Sequence, residues 1–112
     1  MSEITPGAVF FLDQMISVRP GRISSRSLVF PVTAGIKAAE PDWVLYAMDQ
    51  GETISAETSP YPKLIQVLEG ELTMLVDEQP CSLPAGASVW VGADTWHEFA
   101  APVYCKFVQI KF

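Results

Sequence analysis

At 112 residues the chain has room for one hydrophobic core, and a second domain would not fit. Apolar residues make up 49% of it and its mean hydropathy is +0.24, yet no apolar run approaches the roughly 18 residues that a bilayer span needs. A net charge of −6 argues against a nucleic-acid partner, whose phosphates demand a basic face.

The opening, MSEITPGAVFFL, carries an acid where a secretory signal would carry Lys or Arg. We therefore expect a cytoplasmic chain with no membrane partner, hiding its apolar excess in a homodimer. Residues 8–17, AVFFLDQMIS, read either as a short helix or as a strand: Thr5 would cap a helix and Pro6 would open it, with Val9, Leu12 and Ile16 at helical spacing. Next comes RPGRISSR, whose Arg19, Arg22 and Arg26 suit a solvated strand edge, or a clamp on an anion.

From Trp43 onward, short apolar segments recur every eight to twelve residues: WVLYAMD, ETISAE, KLIQVLE, ELTMLVD, CSL, ASVWV, HEFAA and YCKFVQIKF. Prolines and glycines punctuate them, which is the rhythm of an all-β sandwich or barrel. Gly70, between Glu69 and Glu71, suits a sharp bend or bulge, and LPAGAS suits a turn. Cys81 and Cys105 form no CxxC pair, so both read as small buried apolar residues.

The glycine spacing resembles the two-motif signature of the cupin superfamily. Its first motif places glycines at Gly51 and Gly70, with metal ligands at the positions of Glu57, Ser59 and Lys63. None of these is the residue the family uses. The second begins at Gly86 and puts its histidine on His97, the only histidine present, with Gly92, Asp94 and Ala101 at the proline, glycine and asparagine positions. The resemblance implies an RmlC-like jelly-roll barrel, a double-stranded β-helix formed by a single domain over 1–112. It also implies that Glu57, Ser59, Lys63 and His97 meet in one cavity.

An ammonium at Lys63 would repel a divalent cation from the place where the family supplies a carboxylate. We expect that ammonium to take over the charge role of the lost metal and to pair with Glu57. Phe99 shares His97's strand parity and would wall the cavity, whereas Trp96 would face away. The other aromatic residues read as core by default.

The leading expectation is a metal-poor barrel of unassigned role that binds a small molecule and needs no cofactor, since no phosphate loop or dinucleotide motif is present. One alternative is a metal-independent isomerase, epimerase or lyase with His97 as its catalytic acid or base. Another keeps a metal on Glu57 and His97, and a last one is a purely structural interaction protein. The residues name no ligand.

Overall fold

The computed structural model describes residues 4–31 and 41–112. Among these lie a 3-10 helix (Leu12–Gln14) and eight strands: β1 (Ile23–Leu28), β2 (Asp42–Met48), β3 (Thr53–Glu57), β4 (Lys63–Val76), β5 (Gln79–Pro84), β6 (Ser88–Val91), β7 (His97–Ala100) and β8 (Cys105–Lys111). Every strand from β2 onward overlaps one of the apolar segments of the sequence. Two of those segments, KLIQVLE and ELTMLVD, are joined in the single long strand β4.

All pairings are antiparallel. One sheet runs β1-β2-β8-β4-β6 and the other β3-β7-β4-β5, so β4 belongs to both. The crossing falls at Gly70, where φ is +74° and the pairing with β8 slips by one residue between Val67 and Glu69. That slip keeps the interior filled on both sides of the bend. Lys63, Ile65 and Val67 are buried before it, and Leu72 and Met74 after it, so the inward parity changes from odd to even. Gly70 also lies against the next strand: a Cβ there would collide with the Tyr104 carbonyl.

The space between the sheets holds Met48, Ile65, Val67, Leu72, Met74, Leu83, Phe99 and Phe107. Three rings stack through its middle, Tyr46 on Phe107 (5.0 Å) and Phe107 on Phe99 (5.4 Å). A second apolar cluster covers the outer face of the first sheet, where Leu45, Ala47, Val108 and Ile110 pack against Leu12, Met15, Ile16 and Val18 from the N-terminal segment. Lys106 pins that segment, donating to the Asp13 carbonyl at 2.7 Å while pairing with Glu69 at 3.2 Å.

The N-terminal stretch is neither a full helix nor a strand. Only three residues are helical, and Val9 is 86% exposed, so the spacing of Val9, Leu12 and Ile16 does not define one buried face. Thr5 and Pro6 belong to a turn closed by the Ala8 N–H on the Thr5 carbonyl, with Gly7 at φ +82°. Cys105 is fully buried, as expected, but Cys81 on β5 is only half-buried; both are free thiols.

Candidate functional site

Strand ends build the site. Glu57 closes β3, Lys63 opens β4 and His97 opens β7, while Gln109 lies near the end of β8, so four polar side chains converge on one end of the barrel. Register explains the first of them. The β3–β7 pairing shifts between Ile54 and Glu57, which brings Glu57 opposite His97.

The Lys63 Nζ sits at the centre, 2.9 Å from His97 Nε2, 3.1 Å from Gln109 Oε1 and 3.3 Å from Glu57 Oε1. Each of its three N–H bonds has an acceptor. Lys63 is 2% exposed, His97 1% and Gln109 4%, whereas the Glu57 side chain is 47% exposed at the rim. Burial lowers the Lys63 pKa below the ordinary lysine range, and the Glu57 charge opposes that shift.

His97 is oriented from behind. Its Nδ1 lies 2.9 Å from the Thr95 carbonyl, which can only accept, so Nδ1 carries the proton and the Nε2 lone pair faces the ammonium. The 3.4 Å separation of Nε2 from Glu57 Oε1 is then a contact between two acceptors that share one donor. Tyr46 extends the network through a side-chain hydrogen bond with Gln109, and its own pKa is raised, first by burial and then by Glu57 and Asp42.

Of the residues expected from the sequence, Glu57, Lys63 and His97 are brought together, and the expected Lys63–Glu57 pair is formed. Ser59 stands apart in the loop between β3 and β4: its Oγ accepts the Tyr61 N–H at 3.2 Å, and its carbonyl accepts the Asp94 N–H at 2.7 Å. Phe99 lies behind the polar group, edge-on to His97 at 5.5 Å and stacked on Phe107, so it fills the interior. Trp96 faces away, 59% exposed, where with Ala56, Leu75 and Glu98 it lines a surface cavity of about 360 Å³ that reaches His97 from outside. Arg19 and Arg26 border a separate groove of about 480 Å³ between the N-terminal segment and β1.

Gln109 and Tyr46 were not among the expected site residues. Gln109 had a signal: it is the one uncharged polar side chain in CKFVQIK, a strand buried on both faces. Tyr46 had none, because stacking on Phe107 and bonding to Gln109 are visible only in three dimensions.

A divalent cation does not fit this donor set. Among the described residues no group of three or more His, Cys, Asp or Glu side chains converges, and the point between Glu57, His97 and Gln109 is taken by a positive charge.

A small antiparallel barrel of two sheets sharing one bent strand, with a polar group at one end, is a jelly-roll of the double-stranded β-helix class. The cupin domain profile matches residues 44–110, and the chain belongs to the cupin family. It is similar to a cupin superfamily protein from Desulfitobacterium hafniense, with a TM-score of 0.83 and 22% identity over 97% of this chain and 94% of that one. A conserved protein of unknown function from Streptococcus pyogenes superposes with a TM-score of 0.82 at 18% identity, over 96% and 89% of the two chains. The EutQ protein of Clostridium difficile is more distant, at a TM-score of 0.64 and 18% identity over 80% and 67%. Likeness at these identities is a likeness of fold. No curated protein matches the chain in sequence.

Proposed function

We propose that the barrel end around Lys63 binds a small molecule without a metal. The observation that carries this reading is the buried ammonium, fully paired inside the barrel yet linked to solvent through the half-exposed carboxylate of Glu57. Buried charges that are paired are weak devices for stability, so a structural role alone gives little reason to keep one here. A screen of small metabolites by thermal shift tests the reading. At least one compound raises the melting temperature of the wild type and leaves Lys63→Met unmoved; an equal response in both proteins would place binding elsewhere.

A second reading is supported by His97. With Nδ1 fixed on the Thr95 carbonyl, Nε2 is a positioned acceptor 2.9 Å from Nζ, an arrangement suited to proton transfer in a metal-independent isomerase, epimerase or lyase. It would appear as exchange of a ligand C–H proton for deuterium, lost in His97→Gln.

The setting we propose is a cytoplasmic homodimer. Large apolar side chains left in water, among them Phe11, Trp90 and Phe112, support the dimer.

A further inference from the structure

We infer that the ligand of this barrel is a small carboxylate, which binds by taking the place of the Glu57 carboxylate on the Lys63 ammonium. The inference rests on the ligand-site reading above and adds the chemical class.

The three acceptors around Nζ are unequal. His97 and Gln109 are almost wholly buried and hold the ammonium at 2.9 and 3.1 Å, but both are neutral. Among the described residues Glu57 supplies the only negative charge in contact with Nζ, and it is the most loosely held of the three. Its 3.3 Å bond is long for a charge-assisted one, which ordinarily falls near 2.7–2.9 Å. Its side chain is 47% exposed, and it is the last residue of an edge strand, followed by a loop that holds Pro60 and Pro62. Swinging the side chain outward would rehydrate its carboxylate while the ammonium stayed behind.

An ammonium left with two neutral partners in a buried setting keeps its charge only if it regains a counter-ion, and otherwise sheds its proton. The vacated position already has the dimensions of a carboxylate, and a monoanion restores neutrality there. Exchange of one carboxylate for another leaves the buried charge balance unchanged, so the cost of binding is confined to moving Glu57 and dehydrating the incoming group. Glu57 thus acts as an internal competitor that holds the site closed until a carboxylate ligand displaces it.

Removing the competitor tests this. In Glu57→Ala, acetate and propionate replace the deleted side-chain atoms; by calorimetry and thermal shift at constant ionic strength we expect at least a tenfold gain in affinity over wild type. The gain is absent in Glu57→Ala/Lys63→Met, and chloride does not reproduce it. If Glu57→Ala does not fold alone, recovery of a cooperative unfolding transition on adding acetate counts in favour, and failure to recover it in both Glu57→Ala and Glu57→Gln counts against. A folded Glu57→Ala that responds equally to acetate and chloride overturns the inference. Should some other class of compound still stabilise the wild type in a Lys63-dependent way, the carboxylate is wrong and the ligand site stands; with neither response, both fall.

Discussion

Lys63 is where one side chain most changes the chemistry of the barrel. Its pKa is lowered mainly by burial, so the unfolded chain holds that proton to higher pH than the folded one. Stability contributed by this residue therefore rises with pH, from the lowered folded-state value up to the ordinary lysine value near 10.4, as the penalty for burying the charge is removed. Cys105 acts in the opposite sense. Burial pushes its thiol to about 11, so the unfolded chain loses its proton first and stability falls as pH climbs through the alkaline range. Separating the two requires a Cys105→Ala background. In it, urea midpoints measured from about pH 7 to about pH 10 rise relative to the same protein carrying Lys63→Met; a difference that stayed flat with pH would mean the ammonium is no harder to hold inside than in water.

At the scale of elements, the motif glycines do separable work. Gly51 adopts φ +87° with open space where a Cβ would go, so Gly51→Ala meets only the left-handed backbone penalty of about 1–2 kcal/mol. Gly70 adopts φ +74° and also lies against the Tyr104 carbonyl; Gly70→Ala forces β4 and β8 apart and costs about 3 kcal/mol or more. Chemical denaturation of the two variants checks the order, and equal losses would show that the close approach is relieved without cost. Asp94 adopts φ +58° at the place of a motif glycine, a conformation that Asp tolerates better than most residues. The elements from β2 onward were legible because their segments are short, apolar and separated by turn residues. β1, with the sequence ISSRSL, was legible only as a strand edge around Arg22 and Arg26, since its small polar residues carry little strand signal and its pairing with β2 is what makes it a strand. The site was legible in three residues because the motif spacing indexes strand ends. Gln109 and Tyr46 reach it from strands outside both motifs, and Ser59 drops out because the chain leaves the strand after Glu57.

For the whole molecule, the homodimer proposed above rests on the apolar excess and its exposed share. Sedimentation at micromolar concentration should give twice the 12.3 kDa chain mass, and Trp90→Lys or Phe112→Lys should shift the distribution towards monomer if the tilted Trp90–Phe112 pair lies in the interface. A monomer in the wild type removes the dimer. Internally, the molecule is organised around β4, which pairs with β5, β6, β7 and β8. A strand with that many partners cannot be stripped from one sheet without loosening the other, so the two sheets are bound to unfold together. Its contacts with β8 join segments about forty residues apart, so folding must close a long loop before the sheet that holds β8 is complete. The chain gathers slowly, and once assembled it has no separate half to lose.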